Sequence, residues 1–128
     1  MVYPTIEKRM EKRIIIMSND MSMISRIKNS IPEDWVASSV TDLEDLGDWG
    51  DLLLFRFLLL DLDEVDVFDP LDVIRDIRMQ HQIMLPVFCF GGSEELQNEM
   101  RMSRADRFFS RDEIIAILPL FIKQYDWG

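Results

Sequence analysis

The chain has 128 residues, 48% hydrophobic, with one cysteine and a formal net charge of −10. That length suits one domain around one core, and a hydrophobic fraction near half excludes wholesale disorder. Cys89 alone makes neither an internal disulfide nor a spaced Cys/His zinc pattern, and the longest apolar stretch, Leu52 to Leu62, is too short and too interrupted to span a bilayer.

Residues 1–11 read as an N-terminal extension and 12–128 as the domain. The apolar run Ile14 to Met17 is too short for the core of a secretory signal, so Lys12 to Met17 reads as a buried strand. Asp20 can cap a helix from Met21 to about Ile31, whose buried face is Met23, Ile24, Ile27 and Ile31, with Pro32 as its stop. Trp35 to Val40 is a second strand. Asp42 to Leu46 is a short helix or turn closed by Gly47 and Gly50. Leu52 to Leu60, apolar apart from Arg56, reads as a central strand buried on both faces. Pro70 suits a first helical position ahead of Leu71, Ile74 and Ile77. Ile83 to Phe90 is a further strand, and Gly91 and Gly92 then turn the chain. A helix over Ser93–Ser103 and a short strand over Arg107–Phe109 follow. Ser110 and Glu113 have capping-box spacing before a last helix that buries Ile114, Ile117, Leu118, Phe121 and Tyr125 and that Pro119 should kink.

Strands alternating with helices imply an α/β domain, a doubly wound five-stranded parallel sheet with helices on both faces. Sites in such folds form at the carboxyl ends of strands, here Ser18 to Asp20, Asp61 to Glu64, Gly91 to Ser93, and Ser110 with Arg111. The charge is confined: residues 42–76 hold 12 Asp/Glu against Arg56 and Arg75, a net −10, while the flanking parts nearly cancel. A nucleic-acid surface needs clustered Lys/Arg, so this domain is expected to bind none. Nor is it expected to bind membrane. Asp61, Asp63, Asp66 and Asp72 mimic part of a calcium loop, but Val65 and Asp66 stand at the places of a ligand and the turn glycine. Gly91–Gly92–Ser93 before a helix could cradle an anion, yet Glu94 and Glu95 would repel it, which favours a plain tight turn.

The blocks RIIIMSND, LLLDLDEVD…FDPLDVIRDIR, LPVFCFGG and RADRFFSRDEI resemble the successive blocks of a response-regulator receiver domain over residues 12–125. The resemblance implies the strand order 2-1-3-4-5. It also implies phosphoryl transfer from a histidine kinase to an aspartate after the third strand, where Asp61 stands. The family's acidic pair for magnesium is replaced by Ser18 and Asn19, with Asp20 next; Gly91 takes the hydroxyl position and Arg111 the lysine position. Phe108 matches the switch aromatic. Magnesium prefers charged oxygen ligands, so binding is expected to be weak at most, with no cofactor. An alternative register reads DLLLFR as the strand end and puts Arg56 at the acceptor position.

The resemblance therefore implies a degenerate pseudo-receiver: a cytoplasmic signalling and interaction module in a two-component-type pathway, not an enzyme. Two alternatives are an atypical receiver phosphorylated on Asp61 and a flavodoxin-like ligand binder. The family's partner face would comprise the Ser93–Ser103 helix, the Arg107–Phe109 strand and the last helix. Arg101, Arg104, Arg107 and Arg111 make it basic and able to pair with the acidic 42–76 segment of a second copy.

Overall fold

The structure is a computed structural model that describes residues 10–127. Most of the expected extension, residues 1–9, lies outside those described. Five strands form one parallel sheet in the order β2-β1-β3-β4-β5: β1 (Lys12–Met17), β2 (Trp35–Val40), β3 (Leu58–Asp61), β4 (Val87–Phe90) and β5 (Arg107–Phe109). Parallel neighbours cannot be joined by tight hairpins, so every connection crosses a face of the sheet.

The two-residue period of a strand splits the apolar residues between two layers. Ile14 and Ile16 of β1, Leu59 of β3, and Phe88 and Phe90 of β4 pack under α1 (Met21–Asn29) and the last helix, α4 (Arg111–Gln124). Their neighbours Ile15, Met17, Leu58, Leu60, Val87 and Cys89 face α2 (Pro70–Arg75, extended by a π turn over Asp76–Gln80) and α3 (Glu94–Met102). Local chemistry sets the helix starts. The Asp20 side chain accepts from the N–H groups of Ser22 and Met23, Asp69 caps the Pro70 helix, and Ser110 and Glu113 form a reciprocal capping box. The α4 helix runs unbroken through Pro119.

Two expected strands shorten. The run from Leu52 to Leu60 is not one strand: Trp49–Leu54 is a 3₁₀ helix, and β3 begins only at Leu58. A short apolar run does not distinguish a strand from a buried turn. Here Leu52 and Leu54 are buried in the core layer on the α2/α3 side while Leu53 is 62% exposed. A first 3₁₀ helix, Leu43–Leu46, precedes it, so the expected Asp42–Leu46 turn is helical. On the other side, Ile83 to Leu85 are not strand. Pro86 has no N–H to give a ladder, but its carbonyl accepts from Leu58 N–H (2.9 Å), and pairing proper starts at Val87. Helix α1 ends at Asn29, leaving Ile31 partly buried against the core beyond it.

Arg56 precedes β3, at the opposite end of that strand from Asp61, which corrects the alternative register that made it the acceptor equivalent. It is only 2% exposed. Its guanidinium donates to the carbonyls of Tyr125 (2.8 Å), Trp127 (2.6 Å), Met10 (3.1 Å) and Glu11 (3.3 Å), and it lies 3.4 Å from the Trp127 ring centroid. Burial lowers its pKa, yet five fixed donors still suit it to bind carbonyls around one point. Arg78 does similar work near β4, donating to the carbonyls of Arg104 and Ile83 and to Asp106 (2.9 Å).

Replacing Arg56 by Met keeps the stem and removes all four bonds, so urea unfolding should show a loss of about 2 kcal/mol. Cys89 is fully buried, and burial pushes its thiol pKa up to about 12. Iodoacetamide should therefore leave the native chain unmodified and label Cys89 only under denaturing conditions, as read by intact mass.

Candidate functional site

The carboxyl ends of β1, β3 and β4 converge on a set of side chains around Asp61, the last residue of β3 and fully buried. Its Oδ1 accepts from Asp63 N–H (2.9 Å) and Arg111 Nη1 (2.8 Å). Its Oδ2 accepts from the Ser18 hydroxyl (2.7 Å) and Arg111 Nη2 (3.1 Å). A carboxylate offers about four lone-pair positions, and here four donors meet them. The guanidinium fork is bidentate, the strongest arrangement available to such a pair.

Arg111 gathers more than Asp61. Its Nη1 also donates to Asp63 Oδ2 (2.9 Å) and its Nη2 to Asp20 Oδ2 (2.6 Å). Hydrogen bonds and charge from Asp61, then from Asp20 and Asp63, hold its pKa above the ordinary arginine value. A cation in the first turn of a helix opposes the helix dipole; three carboxylates outweigh that here. The Ser110–Glu113 box fixes where α4 begins and so aims Arg111 at the sheet. Asp20 acts twice, with Oδ1 capping α1 and Oδ2 on Arg111. The Met23 and Ser22 N–H groups and Arg111 hold its pKa below the usual carboxylate range, against some desolvation.

Gly91 shows why the fourth strand ends without a side chain. Its φ is +74°, and a Cβ there would meet Asp63 Oδ2 at 2.2 Å. The Asp63 carboxylate fills the space that a residue 91 hydroxyl would need. Gly92, with φ +81°, donates its N–H to Asp63 Oδ1 (2.8 Å), so an internal anion occupies the glycine turn. Asp63 lies within the expected strand-end segment Asp61 to Glu64, but sequence reasoning gave it no part in the pocket itself. The readable signal was paired: an acid two residues after Asp61, and a glycine where the family carries a hydroxyl.

Not every expected residue joins the site. Ser18, Asp20, Asp61, Gly91 and Arg111 come together, whereas Asn19 is exposed and makes no side-chain hydrogen bond among the described residues. Phe108 is partly buried on the α2/α3 side with the Arg101 guanidinium 4.7 Å from its ring centroid. Arg111 does not belong to the expected basic face, because its donors are committed to Asp20, Asp61 and Asp63. Arg101, Arg104 and Arg107 remain exposed there. Arg104 donates to the Arg78 carbonyl (3.3 Å), and Arg101 to Asn98 (2.9 Å).

Magnesium is the ion that the receiver pattern implies at this place, and the donor set does not fit it. A divalent ion needs free, hard oxygens, while these carboxylates already surround a guanidinium. Among the described residues, no group of three or more His, Cys, Asp or Glu is arranged to hold a metal.

The sheet order, the helices on both faces and the site at the strand ends together define the fold of response-regulator receiver domains. The signal receiver domain of a response regulator from Bermanella marisrubri superposes with a TM-score of 0.68 at 21% identity, over 88% of this chain and 98% of that one. A response regulator receiver protein from Pseudoalteromonas atlantica gives 0.67 at 12% identity, over 88% and 95%. HP1043, an orphan response regulator of H. pylori, gives 0.63 at 13% identity, over 87% and 96%. No family model and no curated protein matches the sequence.

Replacing Arg111 by Met should cost about 3 kcal/mol at neutral pH, because it strands a buried carboxylate without its cation. Adding Asp61→Asn should recover most of the loss, since a neutral amide leaves no buried charge unmatched. Urea unfolding at pH 7 measures both.

Proposed function

We propose that this chain is a pseudo-receiver: a signalling and protein-interaction module of a two-component-type pathway that acts without aspartyl phosphorylation. One observation carries this reading. Both oxygens of Asp61 are bonded twice, and the fork of Arg111 lies across them at 2.8 and 3.1 Å.

Attack on phosphorus needs a carboxylate lone pair directed at the incoming group, with mobile cations to take up charge on the transferred oxygens. Opening a lone pair on Asp61 means breaking a fork that also binds Asp20 and Asp63. The place where a hydroxyl at residue 91 would reach a phosphoryl oxygen is filled by the Asp63 carboxylate. Incoming phosphoryl oxygens would meet that negative charge instead of a donor.

A module of this kind works through protein partners and performs no catalysis. The family-type face on α3, β5 and α4 carries Arg101, Arg104 and Arg107, and their charge suits an acidic partner, a second copy of the chain included. The concentrated negative charge of residues 42–76 argues against nucleic acid. No helix among the described residues is long and apolar enough to cross a membrane, and a cytoplasmic location accords with this reading.

The test is incubation with magnesium and acetyl phosphate, followed by intact mass measurement. The expected result is an unchanged mass. A gain of one phosphoryl group that disappears in Asp61→Asn would overturn the proposal and favour the atypical-receiver alternative.

A further inference from the structure

A second feature lies away from Arg111 and depends on none of the receiver chemistry. A cleft of about 270 Å³ opens where β1 and β2 end, between the two 3₁₀ helices and α2. Its apolar lining includes Leu43, Trp49, Phe68 and Val73. Its polar lining includes Asp42, Glu44, Asp69, Asp72 and Asp76, and no lysine or arginine.

The two acidic regions differ in how their charge is met. Around Arg111, three carboxylates share one cation. Around this cleft, none of the five forms an ion pair among the described residues. Asp42 and Asp69 each accept one backbone N–H as local caps, while Glu44, Asp72 and Asp76 make no side-chain hydrogen bond among the described residues. Five like charges around an apolar floor repel one another, and that repulsion is relieved by a cationic occupant. The floor is held in place beforehand. Trp49 stacks on His81 with centroids 3.9 Å apart and planes at 15°, so little side-chain freedom remains to be lost on binding.

We propose that this cleft docks a lysine- or arginine-bearing amphipathic segment of a partner protein. An apolar side chain of that segment packs against Trp49 and Phe68, and its flanking cations meet the carboxylate rim. Six of the chain's arginines do not fill this cleft within one copy. Arg56, Arg78 and Arg111 are bonded internally, and Arg101, Arg104 and Arg107 lie on another face. Nucleic acid carries the same sign as the rim. The proposal holds whether or not Asp61 accepts a phosphoryl group.

The experiment follows tryptophan fluorescence of the full chain titrated with a short amphipathic lysine–leucine peptide. Its glutamate–leucine counterpart and a lysine–serine peptide serve as comparisons. Saturable binding is expected for the lysine–leucine peptide alone, weakening as salt rises. The Asp72→Asn/Asp76→Asn variant should bind about tenfold more weakly, since two rim charges are lost. Glu94→Gln/Glu95→Gln, which removes two charges from α3, should bind as the parent does; circular dichroism confirms that both variants fold. No saturable binding, equal binding of the glutamate–leucine peptide, or equal loss in both variants would overturn the proposal. Sedimentation of the chain alone that reveals an assembly abolished by Asp72→Asn/Asp76→Asn would also overturn it, in favour of a second copy.

Discussion

A buried carboxylate at the end of a central strand cannot stand without compensation. In this chain one guanidinium provides it, bonded to Asp61 at both oxygens and to Asp20 and Asp63 beyond. Much of the upper end of the sheet is arranged around that contact. The start of α4 is fixed so that Arg111 points inward, Asp20 divides its oxygens between a helix cap and the guanidinium, and glycine at 91 leaves room for the Asp63 carboxylate. Taking two charges out of water is costly, and such a pair holds only when its remaining donors and acceptors are also met. Ser18 and the Asp63 N–H meet them.

The cation beside these carboxylates is tethered to the chain. A metal comes and goes with its concentration, and its charge is available only when bound. Arg111 is covalently part of α4, always protonated, and packed 5.2 Å from the Phe90 ring centroid. Glycine at 91 and arginine at 111 are each explained by where Asp63 and Asp61 sit, as members of one polar cluster whose bonds depend on each other.

The layered fold was legible because its signals were redundant. Asp20, Pro70 and the Ser110–Glu113 pair marked helix starts, and alternating apolar residues in Ile14 to Met17 sorted themselves onto two faces as their period requires. The start of β3 was not legible. Leu52 to Leu54 and Leu58 to Leu60 are equally apolar, and only the surrounding packing decides that the first triplet coils while the second pairs. The site was half legible. Position along the chain placed Ser18, Asp20, Asp61, Gly91 and Arg111 together, but the role of Asp63 depends on a turn geometry that composition does not encode. Likewise, nothing in the residues around Arg56 or Arg78 announces that each will collect carbonyls from distant segments.

The Arg56 cluster bears on how this chain can be re-engineered. One guanidinium binds carbonyls of both Met10 and Trp127, so two segments far apart in sequence meet within the width of a single planar group. Such proximity is the geometric requirement for joining two points of a chain by a short linker in a circular permutant. A short linker from residue 127 to residue 10 would add little span, and new ends could be opened in the exposed turn at Gly47 and Asp48 without cutting a strand. A permuted chain would then test whether the order in which the strands are synthesised matters to a sheet whose pairing is already specified by its side chains.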